Sequence, residues 1–273
     1  MNRKFLISSF LVLVAGLCGL TAFTLTDKAT ATRASVQSIR TYAMAPAPTP
    51  PVHFTYEGEE GPAHWGGLCK DGKSQSPIDL SGATPKDVPN IVFHYQPSKL
   101  NIQNNGHTIE VTYDPGSYIE LNGVRYNLIQ FHFHAPSEHT VNGASAKAEL
   151  HLVHKTADGK RAAVVGILII GGRENPAFAS TWANLPAREG GVVTVNAQVD
   201  ARLMLPGSQA TYRYNGSLTT PPCTEGIKWN VMVTTIEMSP SQLAKFTGLF
   251  HGGNNRPLQT RDPGRTLIVD STP

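Results

Sequence analysis

Ten histidines occur in the chain, and six of them fall between positions 107 and 154. Two short patterns in that window can do chemistry. In Gln130-Phe-His-Phe-His134, strand alternation places Gln130, His132 and His134 on one face and Phe131 and Phe133 on the other. In Glu149-Leu-His-Leu-Val-His154, the residues Glu149, His151 and Val153 share a face, and Leu150, Leu152 and His154 share the opposite one. Two neighbouring strands can therefore aim three imidazoles at one point. Zinc accepts three protein nitrogens and keeps a fourth position for water where the site is catalytic. A single strand histidine is more often hydrogen-bonded in a core or at a surface than bound to metal. A His-x-His pair between aromatics, joined by a second strand with Glu-x-His, moves the balance toward metal. A ligating imidazole donates its other N–H to a neighbour, and Gln130 and Glu149 stand at the right alternation to receive it. No helical His-Glu-x-x-His pattern accompanies these residues. On residue types alone the reading is a zinc hydrolase or hydratase.

Strands must carry these side chains, and the sequence is rich in them. Short β-rich segments are expected at Leu100 to Gln103, Thr108 to Tyr113, Tyr118 to Leu121, Val124 to His134, Ala146 to His154 and Ala162 to Ile170. Asn105-Gly106, Asn122-Gly123, Asn142-Gly143 and Asp158-Gly159 fall between them as turns. Later strands are expected at Val192 to Val195, Ala210 to Asn215 and Ile227 to Ile236. Helix signals are few: Asn175-Pro176 leading to Trp182, and Ser239-Pro240 ahead of Gln242 to Phe250. The expected fold is mainly β, a single domain built on a large twisted, mostly antiparallel central sheet with short peripheral helices.

Hydrophobic residues make up 40% of the chain and charged residues 16%, as in ordinary folded proteins. The net charge of +3 does not mark a nucleic-acid surface. Residues 1–51 carry Arg3, Lys4, Lys28, Arg33 and Arg40 against Asp27, a net of about +4, which leaves the remainder near −1. Arg3 and Lys4 precede an apolar run from Phe5 to Leu25, with small residues at Ala29 and Ala31, so residues 1–31 read as a signal peptide. The run is also long enough to act as a retained anchor, the one route to a membrane association. Residues 32–51 end in Ala45-Pro-Ala-Pro-Thr-Pro-Pro51, a linker that cannot build a core. The catalytic domain is placed at 52–273. Outside the signal only Cys69 and Cys223 remain, either two buried thiols or, given export, a disulfide. Such a bridge would close a loop of about 155 residues, worth roughly 5 kcal/mol by chain entropy.

Seven motifs occur in a fixed order: Gly61-Pro-Ala-His-Trp-Gly66, Gln75-Ser-Pro-Ile-Asp79, Asn104-Asn-Gly-His107, Gln130-Phe-His-Phe-His134, Ser137-Glu-His-Thr-Val141, Glu149-Leu-His-Leu-Val-His154 and Ser217-Leu-Thr-Thr-Pro-Pro222. Together they resemble the α-class carbonic anhydrases, specifically the exported bacterial type, from about Val52 to the C-terminus. The resemblance implies one Zn2+ per chain, held by His132, His134 and His151 and backed by Gln130 and Glu149. It implies reversible hydration of CO2 to bicarbonate and a proton by attack of a zinc-held hydroxide. A pKa near 7 for that zinc water is a known property of the family, not a result of this sequence.

Further roles come from the same resemblance. Thr219 would orient the hydroxide and pass its own proton to Glu138, since an ionised carboxylate only accepts. His107 would shuttle the proton to buffer, with Tyr56, Asn104 and Gln103 at or near positions supporting its water chain. Val153, Val164, Leu218 and Trp229 would form an apolar wall for CO2, and Thr220 would contact bicarbonate. The backbone near Asn254 would support His134. Without the resemblance, Thr219 reads as a loop residue, Glu138 as a surface charge, His107 as a turn residue and the valines as β-core. Cys69 and Cys223 also sit where many exported members form a disulfide; the expected location is outside the cytoplasm, the periplasm first, with secretion or membrane tethering as alternatives. Competing readings are a zinc esterase and a binding domain that kept the fold but not the catalysis; the latter would favour loss of a histidine ligand, and none is lost.

Overall fold

The computed structural model describes residues 53–272, so the signal and linker assignments lie outside the described residues. Thirteen strands form one sheet. Its main path runs Thr84–Pro85, Leu267–Asp270, Thr211–Ser217, Glu225–Met232, Ala162–Gly171, Ala148–Lys155, Val124–His134, Ile109–Thr112, Ser98–Asn104 and Val192–Val199. Most neighbours are antiparallel, as expected for a chain of hairpins. The exceptions are Ala162–Gly171, which lies parallel to both Glu225–Met232 and Ile236–Met238, and the edge pair Thr84–Pro85 with Leu267–Asp270.

Strands Tyr118–Leu121 and Val124–His134 fall where the alternation puts them. Asn122 (φ 52°) and Gly123 (φ 71°) occupy the left-handed region that a two-residue hairpin turn requires. The single strand expected over Ile227 to Ile236 is broken. Lys228 pairs with Ala163 but Ile236 pairs with Ile169, so the offset grows from 65 to 67 residues and two residues loop out between two stretches along one partner strand. Asn175 caps the short helical segment Pro176–Phe178 and Ala179–Ala183 by accepting from the Ala177 N–H. Ser239 and Gln242 form a capping box for Pro240–Thr247, which stops at Gly248 rather than continuing to Phe250.

The sheet separates two apolar clusters. Phe131, Phe133, Leu150 and Leu152 join Phe178, Trp182 and Phe246 in the larger one. The Phe133 ring meets Trp182 at 5.0 Å, edge to face, and Phe178 at 5.5 Å. Each such burial stabilises by about 1.5–3 kcal/mol. A one-residue slip would swap the phenylalanines and the histidines between the two faces of the sheet, so this packing fixes which face His132, His134 and His151 occupy.

Candidate metal centre and active site

His132 and His151 are direct cross-strand partners, and His134 lies one alternation further along. Their ring centroids are 4.7–5.2 Å apart, and their inward nitrogens lie within 4.8 Å of one another. Each ring has one nitrogen tied down. His132 Nδ1 donates to Gln130 Oε1 at 2.8 Å, His134 Nδ1 to the Asn254 carbonyl at 2.6 Å, and His151 Nε2 to Glu149 Oε1 at 2.9 Å. This leaves Nε2 of His132, Nε2 of His134 and Nδ1 of His151 to converge. His134 Nε2 is buried with no hydrogen-bond partner. Burial pushes the His134 ring down to about 4 against the Asn254 bond, and lowers His132 and His151 as well, so all three rings are neutral near pH 7. Neutral imidazoles with free lone pairs are the form that binds a metal. A buried nitrogen left unpaired in such a set is what a zinc site requires.

His139, Glu149 and His151 form a second close group, but its donors and acceptors are matched. Glu149 Oε1 accepts from His139 and His151, and Oε2 accepts the backbone N–H groups of Glu138 and His139. His139 Nε2 is then the acceptor for the Tyr214 hydroxyl at 2.5 Å. Burial works against ionisation, but the hydrogen bonds from His139 and His151 outweigh it and hold the Glu149 carboxyl well below the usual range. Gly166 faces His151 across the sheet; a Cβ there would come within 3.0 Å of Glu149 Oε1, so the glycine leaves room for that carboxylate.

Glu138 is buried beside these rings, with Oε2 at 4.0 Å from His151 Nδ1. Its Oε1 accepts the Arg256 N–H at 2.8 Å. Burial raises its pKa to about 7; His151, the Arg256 N–H and the Thr219 hydroxyl pull it back and Glu149 pushes it up. Thr219 and Thr220 follow strand Thr211–Ser217, in a loop closed by Cys223 N–H to the Thr220 carbonyl at 2.9 Å. Cys69 and Cys223 are joined in a disulfide with Cα atoms 5.0 Å apart, which removes the free-thiol alternative. The buried Arg256 guanidinium donates to the carbonyls of Cys69 and Ser76 and to Gln75 Oε1, while Gln75 Nε2 donates to the Cys223 carbonyl. Arg256 thus ties three chain segments behind Glu138 and Thr219. Sequence reasoning passed over it, because a single arginine in a loop carries no periodic signal.

Val153, Val164 and Trp229 stand in line across three strands, and Leu218 packs on the cluster they form. The Trp229 ring lies 4.8 Å from that of His151, so this apolar surface adjoins the three histidines. His107 is apart from them. Asn105 Oδ1 accepts the backbone N–H groups of His107 and Thr108, and the His107 ring stacks on Phe54 with centroids 3.8 Å apart. Partial burial lowers its pKa, opposed by Glu189 and reinforced by His53. Tyr56 has a buried hydroxyl without a partner. Asn104 and Gln103 are engaged elsewhere: Asn104 Nδ2 donates to the Pro186 carbonyl and Gln103 Nε2 to Glu110. Glu110, also passed over in the sequence, is pushed upward by burial against that Gln103 bond. Its position opposite His132 depends on strand register.

The family described as eukaryotic-type carbonic anhydrase matches residues 60–266. A carbonic anhydrase of Nostoc sp. is 42% identical over 234 residues, covering 81% of this chain and 88% of that protein. One from Pectobacterium carotovorum is 38% identical over 240 residues, covering 86% and 98%. The solved structure of a hyperthermostable carbonic anhydrase from an active hydrothermal vent chimney superposes with a TM-score of 0.77 at 44% identity, covering 80% of this chain and all of that one. By motif order, sheet and histidine geometry, and these likenesses, the chain is an enzyme of the eukaryotic-type, or α, carbonic anhydrase family.

Proposed function

We propose that the protein catalyses reversible hydration of CO2 to bicarbonate and a proton at one zinc ion held by His132 Nε2, His134 Nε2 and His151 Nδ1. The observation that carries this reading is the set of three neutral, converging imidazoles, each with its outer nitrogen already engaged and one with a buried inner nitrogen unpaired. Zinc, when bound, supplies the Lewis-acid charge that makes hydroxide available near neutral pH. Gln130, the Asn254 carbonyl and Glu149 hold the three rings in the ligating tautomer. Thr219 orients the attacking oxygen by accepting its proton's hydrogen bond, and it can do so because it donates its own proton to Glu138. Glu138 serves in its ionised form, which a nearby dication favours against burial. Val153, Val164, Leu218 and Trp229 exclude water from the side where an uncharged, dipole-free substrate rests, and Thr220 holds the product anion.

His107 takes the released proton on a ring nitrogen and hands it to buffer. Its lowered pKa keeps the ring neutral and ready to accept, and the ring is only half-buried, so it can pass the proton outward. The disulfide supports export, with the periplasm as destination, residues 1–31 as signal, 32–51 as linker and 52–273 as the catalytic domain. Among the described residues no helix is long and apolar enough to cross a membrane. The test is stopped-flow CO2 hydration with zinc content measured on the same sample. The expected result is one zinc per chain with hydration activity, both lost in His151→Ala. A His151→Ala protein that keeps zinc and full activity refutes the reading.

A further inference from the structure

We propose that Glu110 is a positioning residue for the metal centre, acting through Gln130 to set the orientation and tautomer of His132. The proposal rests on the zinc reading above. Strand Ile109–Thr112 buries Ile109 and Val111 on the core side, which turns Glu110 to the same side of the sheet as the histidines. Register places Glu110 directly between Gln103 on one neighbouring strand and His132 on the other. Each carboxylate oxygen has one amide donor: Gln103 Nε2 reaches Oε1 at 2.9 Å, and Gln130 Nε2 reaches Oε2 at 3.1 Å. Gln130 Oε1 then accepts from His132 Nδ1 at 2.8 Å.

The direction of this chain follows from donor and acceptor chemistry. A carboxamide can face His132 with either end, and the two ends demand opposite tautomers. With Oε1 toward the ring, Nδ1 carries the proton and Nε2 is free to bind metal. With Nε2 toward the ring, Nδ1 must accept and the proton moves to the ligating nitrogen. Glu110 in its ionised form only accepts, so it draws the Gln130 NH2 group and leaves Oε1 for His132. Gln103 holds the other oxygen and prevents the carboxylate from swinging away. His134 and His151 need no such device, since a backbone carbonyl and a carboxylate are acceptors by nature.

The test compares wild type, Glu110→Gln, Glu110→Ala, Gln130→Ala and the double variant E110Q/Q130A, all as full chains. Zinc content of the wild type comes first; a wild type that binds no zinc refutes the metal reading itself. With zinc bound, its release to an excess of a tridentate chelator is followed, and the imidazole N–H protons are recorded by NMR. Expected are a zinc release rate raised about 3- to 10-fold in both Glu110 variants, below the roughly 10- to 100-fold typical of a direct partner, and a shifted or exchange-broadened His132 Nδ1–H signal. In the Gln130→Ala background the Glu110 substitution should add nothing. A purely structural carboxylate would lower the melting temperature but leave the His132 proton and the coupling to Gln130 unmoved. Release within twofold of wild type in Glu110→Gln, with the His132 signal unchanged, overturns the proposal while leaving the zinc reading standing. Glu110→Gln is close to isosteric, so the comparison holds if Glu110→Ala fails to fold.

Discussion

Replacing Glu149 by glutamine tests the centre where its hydrogen bonds are most constrained. The wild-type carboxylate accepts four hydrogen bonds, from His139 and His151 on Oε1 and from two backbone N–H groups on Oε2. A carboxamide offers one accepting oxygen, so one side must fail. If Nε2 faces the backbone, the Glu138 and His139 N–H groups are buried opposite another donor, each costing about 1–3 kcal/mol. If Nε2 faces the rings, His151 Nε2 must become the acceptor and its proton moves to Nδ1, the nitrogen aimed at the metal. Stability falls in the first arrangement and zinc binding in the second. Groups behind zinc-bound histidines, those of carbonic anhydrases among them, generally contribute 10- to 100-fold in affinity, or about 1.4–2.8 kcal/mol. For Glu149→Gln we expect a loss in that range by chelator competition, or a melting temperature of the zinc-free protein lowered by several degrees. A variant with affinity within twofold of wild type and an unchanged melting temperature would show that Glu149 does not set the His151 tautomer.

His107→Ala should lower kcat for CO2 hydration about tenfold or more in dilute buffer, with kcat/KM little changed and recovery on adding imidazole; an equal loss of both parameters without recovery would assign His107 a structural role. Cys69→Ser with Cys223→Ser should destabilise the fold by up to roughly 5 kcal/mol in denaturant titrations, and an unchanged midpoint would contradict the chain-entropy argument. Asp79 is pushed up by partial burial, but hydrogen bonds from Ser81, Thr140 and Gly143 outweigh this and hold it at about 2. A depressed carboxylate stabilises the fold above its unfolded pKa near 4, and that contribution is lost as pH falls toward 2. Asp79→Asn should therefore flatten the pH dependence of stability between about 4 and 2, and an identical acid-unfolding profile would count against it.

Alternation in Gln130 to His134 and Glu149 to His154 was enough to place three imidazoles on one side of a sheet, because side-chain direction in a strand has a period of two and the phenylalanines and leucines take the core. The turn pairs Asn122-Gly123 and Asn142-Gly143 were equally legible, since few other residues adopt positive φ. Other features rest on pairing between distant segments. The parallel strands beside Ala162–Gly171 depend on a crossover that no local pattern encodes. Arg256 reaches Cys69, Gln75 and Ser76 from 180 or more residues away. Glu110 meets Gln130 and lies opposite His132 only because register brings their strands together. The amino-acid sequence by itself determined the three converging imidazoles, their facing and the family. Tertiary structure alone decided which nitrogen of each histidine is free, because that depends on acceptors delivered by other parts of the chain.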